Sequence, residues 1–271
     1  MIVSDLFIYP VKSAKGIRLD EMSFDSLGPL FDRRFMILDE ENKMLTQREC
    51  PVLATLKTNI NLERKELTLS YKEKGKGEEE RITITLEEDY YKNKKNIDVQ
   101  VWKDKVRGVF CEGDVDLFLT TFLRRKARLL FTSKKRLRPI PENEKHSMSF
   151  VDSSPLLIIS EESLNDLNKR LTKPLTMDRF RPNIVLKGGN PFGEDDLIEY
   201  SMGEAFLKSF KKCSRCVMIT IDQNEGVKSD TEPLKVLHTF RSHAEGIMFG
   251  VSAFNINGKK IKKGDLVETK S

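Results

Sequence analysis

The sequence predicts a mixed α+β protein that is predominantly β and contains a few short helices. From Ile2 to about Phe110, short runs of alternating apolar and polar residues are separated by turn residues, a pattern typical of strands and hairpins. Helical spacing first appears at Asp114, where apolar residues recur at three- and four-residue steps. With 271 residues and 38% hydrophobic content, the chain can bury one large core or two modest ones.

The N-terminal part is predicted to be built from strands and hairpins. Residues 58–62 should pair with residues 67–71 across a polar turn, and residues 34–38 should enter a second hairpin. The segment 72–80 contains no apolar residue and is predicted to be a solvated hairpin tip or a mobile loop. Further strands are expected at residues 2–9, 82–86 and 99–102.

The C-terminal part should alternate strands with three helices. Val115, Phe118, Leu119 and Phe122 would line one face of the first helix. Ser160 is a good N-cap for a second helix over 161–171, and the third is expected over 233–242. Strands are expected at 128–132, 155–159, 183–186, 205–209, 216–221 and 248–256. The change of period at Asp114 favours a domain boundary near that residue.

Composition and charge narrow the function classes. The formal charge is +5, from 47 basic and 42 acidic residues, a mild excess that favours anionic ligands without requiring nucleic acid. The N-terminus lacks a signal peptide and no apolar run is long enough to span a bilayer, so we expect a cytoplasmic protein with no membrane partner. Four cysteines are too few for a disulfide framework in a chain of this length, so reduced thiols are expected.

The densest chemical signal is the run Lys212-Cys-Ser-Arg-Cys216, which lies between two strand-like segments. Positively charged neighbours favour the thiolate form that binds metals and attacks electrophiles. The pair Cys213 and Cys216 is also compatible with other interpretations. A zinc site would lack its second half, a thioredoxin-type redox pair should open a helix rather than a strand, and two inert buried cysteines remain a plain alternative.

Several polar clusters indicate a binding site only when they are considered together. The loop that begins at Tyr9 carries Lys12 and Ser13 and could hold a phosphate, although an ordinary basic turn is equally compatible. Forked arginine donors flank a hairpin in Asp32-Arg-Arg34 and Thr46-Gln-Arg48. In the basic runs at 92–95 and 124–138, aromatic residues are not interleaved in a stacking pattern, so the runs indicate a solvated face rather than a nucleic-acid partner.

In order along the chain, six motifs resemble those of MOSC-domain proteins, notably the YcbX-type proteins and the mitochondrial amidoxime-reducing component. The motifs are Tyr9-Pro-Val-Lys-Ser13, Asp32-Arg-Arg-Phe-Met36, Leu45-Thr-Gln-Arg48, Asp152-Ser-Ser-Pro155, Arg179-Phe-Arg-Pro-Asn183 and Cys213-Ser-Arg-Cys216. The resemblance covers nearly the whole chain. It implies a MOSC N-terminal β-barrel region at 1–120, followed by a MOSC domain with a β-barrel core at 121–271.

The same resemblance implies a bound molybdenum cofactor, Mo-molybdopterin, with Cys216 as the protein's single metal ligand. Contacts to the pterin phosphate would map onto Lys12, Ser13 and Arg33. The implied contacts on the pterin and metal side are Ser153, Ser154, Arg181, Asn183, Ser214 and Arg215. A thiolate suits this role because a soft donor stabilises a metal that changes oxidation state.

The function implied by the resemblance is molybdenum-dependent reduction of small N-hydroxylated compounds. Arg181 and Asn183 would orient the substrate beside Cys216. No cysteine follows Cys216, so we expect electrons from a separate ferredoxin-like or flavoprotein partner. Ser252 stands where the amidoxime-reducing component has an aromatic residue, which predicts a different substrate preference. The alternative function is a sulfur or cofactor carrier that uses Cys216.

Overall fold

The computed structural model confirms a mixed α+β fold that is predominantly β. It describes residues 1–73, 75, 77–132, 138–140 and 143–269, without the side chains of residues 143–146. Parts of the predicted polar tip at 72–80 and of the basic run at 124–138 lie outside the described residues. Within them, no helix combines the length and the apolar character needed to cross a membrane.

The N-terminal part consists of short strands and hairpins. The strands are β1 (Ile2–Ile8), β2 (Ile17–Leu19), β3 (Glu21–Met22), β4 (Phe24–Asp25), β5 (Gly28–Pro29), β6 (Phe35–Asp39), β7 (Lys57–Asn61), β8 (Glu66–Lys72), β9 (Glu79–Thr85), β10 (Asn96–Val101) and β11 (Asp104–Phe110). Short 3-10 helices span Pro51–Thr55 and Glu88–Tyr91. The predicted hairpin is confirmed, since β7 pairs antiparallel with β8, in which Leu67, Leu69 and Tyr71 alternate into the core.

In the described residues of the C-terminal part, three helices alternate with strands. The helices are α1 (Asp114–Leu123), α2 (Glu161–Asn168) and α3 (Glu232–Arg241). The strands are β12 (Ala127–Thr132), β13 (Arg138–Ile140), β14 (Asn143–Met148), β15 (Leu156–Ser160), β16 (Ile184–Lys187), β17 (Glu199–Met202), β18 (Ala205–Ser214), β19 (Ile221–Asp222), β20 (Val227–Lys228), β21 (Ser242–His243), β22 (Gly246–Asn255), β23 (Ile261–Lys262) and β24 (Val267–Thr269). Short 3-10 helices span Met177–Arg179, Gly193–Asp196 and Val217–Thr220.

The largest sheet among the described residues joins the two ends of the chain. Its order is β2-β1-β16-β15-β22-β18-β17-β24, with β21 added to β22. Strand β1 runs antiparallel to β16, with Leu6 opposite Ile184, and β15 runs parallel to β16. The loop after β1 therefore lies beside the loops that precede β15 and β16. Separately, β6 and β12 belong to a four-stranded sheet with β10 and β11.

The domain division near residue 120 stays a prediction. Residue 120 lies inside α1, and strands β1 and β2 pair into the sheet formed largely by residues after 155. The N-terminal segment therefore contributes to both parts of the molecule.

The predicted strand over 216–221 is wrong. Residues Val217–Thr220 form a 3-10 turn, and only Ile221 and Asp222 are extended. Apolar β-branched residues favour strands, but here Ile219 packs into a cluster that includes Leu237 of α3, and this tertiary contact overrides the local preference. Strand β18 continues to Ser214, beyond the predicted end at 209.

The cap of α2 is confirmed, because the side chain of Ser160 accepts a hydrogen bond from the amide of Ser163. The helix ends at Asn168 rather than 171. The reason is local, since the Asn168 side chain bonds both the amide and the carbonyl of Leu175.

Candidate functional site

The loop after β1 places Tyr9 between two guanidinium groups. The Cζ atoms of Arg33 and Arg181 each lie 4.2 Å from the centroid of the Tyr9 ring. The Tyr9 hydroxyl donates to the carbonyl of Pro182 at 3.1 Å, and its amide donates to Asp32 at 2.8 Å. Burial raises the pKa of Tyr9 to about 12, so the ring stays a neutral phenol between two cations.

Arg33 is held by partners on three segments. Its Nη1 donates to Asp32 at 2.6 Å and to Oδ1 of Asn183 at 3.2 Å, and its Nη2 donates to the carbonyl of Arg181 at 3.4 Å. The backbone of Arg33 has a φ of 45°, in the left-handed region. These contacts fix the guanidinium beside the two loops that the large sheet brings together.

Asn183 acts in the structure as a positioning residue. It is 1% exposed, and its Oδ1 also accepts from the amide of Leu157 at 3.2 Å, while its Nδ2 donates to the carbonyl of Phe7 at 3.1 Å. The side chain therefore ties β1 to the start of β15 and orients Arg33. Direct contact with a substrate, as predicted from the resemblance, stays a prediction that this burial does not favour.

Arg181 is buried with an unused donor. Arg181 is 8% exposed, and its Nη2 has no hydrogen-bond partner among the described residues. Burial lowers its pKa to about 10, which reflects the cost of holding the cation away from water. A buried guanidinium with a free donor is a favourable partner for an anionic group.

Lys12 and Asp152 form an ion pair between the loop after β1 and the loop before β15. Lys12 is 5% exposed, and its Nζ also donates to the carbonyl of Phe150 at 2.8 Å. Burial lowers the pKa of Lys12, and Asp152 opposes that effect. Desolvation disfavours the charge of Asp152, yet Lys12 and Trp102 outweigh it and hold the pKa of the carboxyl well below its usual range.

The sulfur of Cys216 receives a hydrogen bond from a distant arginine. Nη2 of Arg48 lies 3.1 Å from Sγ of Cys216, and the Cζ of Arg48 lies 4.5 Å from the centroid of the Trp102 ring. Nε1 of Trp102 donates to Asp152 at 3.1 Å. A continuous set of contacts thus runs from Cys216 through Arg48 and Trp102 to the Lys12–Asp152 pair.

The sequence indicated Arg48 as a forked donor beside a hairpin, but it did not assign Arg48, Trp102 or Asp152 to the cofactor site. Two features of the sequence could have identified these residues as part of the site. Arg48 and Asp152 both lie inside motifs of the resemblance, and Trp102 is the single tryptophan of the chain.

Cys213 has a different guanidinium partner. Nη1 of Arg215 lies 3.2 Å from Sγ of Cys213, and its Nη2 donates to the carbonyl of Phe180 at 2.6 Å. The Nε of Arg215 is buried, and none of the residues that the structure describes bonds to it. All four cysteines are free thiols, so Cys213 and Cys216 do not form a disulfide.

The zinc interpretation finds no support in the part of the chain that the structure describes. No group of three or more His, Cys, Asp or Glu side chains there could hold a metal ion. A site that takes one thiolate from the protein is not tested by this result.

The three predicted serines and Ser13 lie on the loops around these groups. Ser13 is buried with a φ of 69°, and Ser154 donates to the carbonyl of Leu156 at 2.9 Å. Ser153 is half-buried in the same loop, whereas Ser214 is exposed at the end of β18. Their contact with a ligand stays a prediction.

A reciprocal amide pair clamps the segment of Arg48 to the segment after Cys216. Nε2 of Gln47 donates to Gln223 at 3.1 Å and to the carbonyl of Ser13 at 2.7 Å, and Nε2 of Gln223 donates back to Gln47 at 3.0 Å. Gln47 and Gln223 are 0% and 4% exposed. The clamp therefore fixes three distant segments around Cys216.

Comparison with known proteins gives a consistent assignment. Residues 1–126 match the family model of the MOSC N-terminal beta barrel domain, and residues 145–268 match that of the MOSC domain. The mitochondrial amidoxime reducing component 2 of Bos taurus is 32% identical over 250 residues, which cover 88% of this chain and 72% of that protein. The mitochondrial amidoxime-reducing component 1 of Homo sapiens is 31% identical, over 98% of this chain and 82% of that protein.

A second kind of relative is longer. The molybdenum cofactor sulfurase of Oryza sativa is 30% identical to this chain over 97% of its length, but the match covers only 33% of the sulfurase. Two matched domain models spanning most of the residues, together with relatives aligned along nearly the whole chain, show that this chain belongs to the family of MOSC-domain proteins.

Proposed function

We propose that this chain is a molybdenum-cofactor-dependent reductase of small N-hydroxylated compounds, with Cys216 as the protein's ligand to molybdenum. The net reaction is R–NHOH + 2e⁻ + 2H⁺ → R–NH₂ + H₂O, with electrons supplied by a separate ferredoxin-like or flavoprotein donor. The observation that carries the proposal is the half-buried thiol of Cys216, hydrogen-bonded to Arg48 at 3.1 Å, on a chain in which Arg181 and Arg215 each have a buried donor atom without a partner among the described residues.

The residues present fit an anionic pterin cofactor. Nη2 of Arg181 and Nε of Arg215 are buried donors that have no partner in the described part of the chain, and an anionic ligand would satisfy them. Lys12, Ser13 and Arg33 would hold the phosphate side. The other side would be held by Ser153, Ser154, Arg181, Asn183, Ser214, Arg215 and Cys216. When bound, the cofactor would supply the two-electron chemistry that removes oxygen from the substrate nitrogen.

The protein's own residues bind and orient. Arg181 would present its free donor to an anionic or oxygen-bearing group, since its other face is stacked on Tyr9. Lys12 would exchange part of its contact with Asp152 for a phosphate oxygen. Asn183 would act through Arg33, because Oδ1 of Asn183 accepts a hydrogen bond from Nη1 of Arg33 at 3.2 Å.

Metal content tests the proposal directly. Protein from a host that makes the cofactor should contain about one molybdenum per chain, because one thiolate serves one metal centre. Cys216→Ala should abolish retention of molybdenum. Cys213→Ala should reduce it much less, because Cys213 contacts Arg215 rather than Arg48. Zinc instead of molybdenum, no metal, or equal loss from both variants would contradict the proposal.

The second candidate is a carrier that holds sulfur or the cofactor on Cys216. The match to the rice molybdenum cofactor sulfurase over 97% of this chain favours considering it. Turnover of an amidoxime or hydroxylamine with an artificial electron donor separates the two. A molybdenum-loaded protein that turns over neither compound would favour the carrier.

A further inference from the structure

Arg48 reaches the sulfur of Cys216 from a separate part of the chain. The two residues are 168 positions apart, and the Nη2–Sγ distance is 3.1 Å. The side chain of Arg48 is half-buried. A donor from a planar guanidinium constrains both the position of the sulfur and the direction in which its remaining lone pairs point.

Trp102 packs against the guanidinium of Arg48. Trp102 lies in the turn between β10 and β11, with a φ of 58° and 42% exposure. The Cζ of Arg48 is 4.5 Å from the ring centroid, within the range of a cation–π contact. The indole cannot rotate freely, because its Nε1 donates to Asp152 at 3.1 Å.

The backbone around Arg48 is also fixed. Gln47 is fully buried and bonded to Gln223, which follows Cys216 by seven positions. The amide of Arg48 donates to Oγ1 of Thr46 at 3.2 Å. The same clamp thus sets both the segment that donates and the segment that carries the sulfur, so the Arg48–Cys216 contact is specified from both ends.

We propose that Arg48 is a positioning residue that aims the Cys216 sulfur at the metal, and that Trp102 and Asp152 hold Arg48 in place. This inference rests on the proposed function for its metal, but the coupling of Arg48, Trp102 and Cys216 belongs to the chain alone. Groups that orient a metal ligand change metal affinity by roughly 10- to 100-fold when they are removed. Arg48 fits that role because it contacts the ligand atom itself.

The single tryptophan makes the coupling measurable without the cofactor. Trp102 is the only tryptophan in the sequence, so all tryptophan fluorescence reports on the stack with Arg48. In cofactor-free protein, Cys216→Ala should release Arg48 and raise the acrylamide quenching constant of Trp102. Arg48→Gln should do the same, and the double variant should show no further increase. Cys213→Ala should leave quenching unchanged.

Additive effects of Cys216→Ala and Arg48→Gln, or no effect of Cys216→Ala, would overturn the coupling. Because these measurements need no metal, they decide the inference even if wild-type protein is found to hold no molybdenum. That latter result would contradict the proposed function alone.

Molybdenum retention supplies the second readout. After dialysis of the full chain, Arg48→Gln should retain roughly 10-fold less molybdenum than wild type. Arg48→Lys, which keeps the charge, should restore part of it. Trp102→Phe keeps an aromatic ring but removes the donor to Asp152, so its molybdenum retention should lie between those of Arg48→Gln and Arg48→Lys. Arg64→Gln changes an exposed arginine in the β7–β8 turn and should match wild type.

Wild-type retention in Arg48→Gln, measured alongside a loaded wild type, would overturn the role of Arg48. An equal loss of molybdenum from Arg64→Gln would also overturn the role of Arg48, because the loss would then result from a change in surface charge. Circular dichroism of each variant confirms that it is folded before molybdenum is measured.

Discussion

Replacing Arg181 with Met should stabilise the cofactor-free protein, although Arg181 belongs to the proposed site. Burial lowers the pKa of Arg181 to about 10, and its Nη2 has no partner. At about 1.36 kcal/mol for each pKa unit, this lowering corresponds to roughly 3 kcal/mol against the folded state. The stack on Tyr9 offsets about 2 kcal/mol of that cost. Arg181→Met should therefore raise the free energy of unfolding by about 1 kcal/mol, or Tm by roughly 3 °C.

The sign of this stability change follows from the coupling between folding and protonation of Arg181. Since the folded-state pKa is lowered, the cost is fully present below pH 10 and would be relieved only as the pH rises through about 10. The stabilisation should thus be the same at every pH from about 5 to 9. Thermal unfolding followed by circular dichroism, with urea titration as a second method, measures it.

Arg33 provides a matched control, because its Cζ lies at the same 4.2 Å from the centroid of the Tyr9 ring. Its guanidinium is hydrogen-bonded, and Arg33→Met would leave the buried Asp32 without its 2.6 Å partner. This variant should lose about 3 kcal/mol. Destabilisation by Arg181→Met as large as that by Arg33→Met would refute the reasoning. Both variants should lose molybdenum retention, so stability and function would change in opposite directions for Arg181.

Three further predictions concern stability in urea titrations. Gln47→Ala should cost about 2–3 kcal/mol because it leaves Oε1 of the buried Gln223 and the carbonyl of Ser13 without their donor, and Gln47→Ala with Gln223→Ala should cost less than the sum of the single changes. Asp152→Asn should cost about 1 kcal/mol at neutral pH through loss of the bond between the half-exposed Asp152 and Lys12, and since the pKa of Asp152 is lowered, the two stability curves should begin to converge only as the pH falls below about 4. Ser252→Ala should stabilise by about 1 kcal/mol, because its buried hydroxyl has no partner among the described residues; a loss of stability would contradict this prediction.

Ser252 also shows how burial alters a functional expectation. The sequence places it where a relative has an aromatic residue, which predicted an effect on substrate preference. In the structure Ser252 is 0% exposed within β22, opposite Leu157 of β15. Any influence on the substrate would have to pass through neighbouring side chains, so the prediction stays untested.

Local patterns in the sequence determined many of the elements. The alternation of Leu67, Leu69 and Tyr71 predicted β8 and its hairpin with β7, because neighbouring side chains on a strand point to opposite faces. Ser160 predicted the start of α2 through its cap. The six ordered motifs also indicated the family before any contact was known.

Other features required the tertiary structure. The turn Val217–Thr220 reads as strand in isolation, and the packing of Ile219 makes it a 3-10 turn. Asn183 resembles a substrate contact in the sequence, whereas its burial and four hydrogen bonds to the backbone of Phe7 and Leu157 make it a tie between strands.

The contact of Arg48 with Cys216 is the clearest example of a feature that the tertiary structure decided and the sequence did not. The sequence by itself determined that Cys216 lies in a basic turn of a MOSC-domain protein and that Arg48 belongs to one of its motifs. Only the folded chain decided that Arg48 is the arginine on the sulfur and that Trp102 supports it. The physical reason is that periodicity and capping act over a few residues, whereas a contact across 168 positions depends on how whole sheets pack.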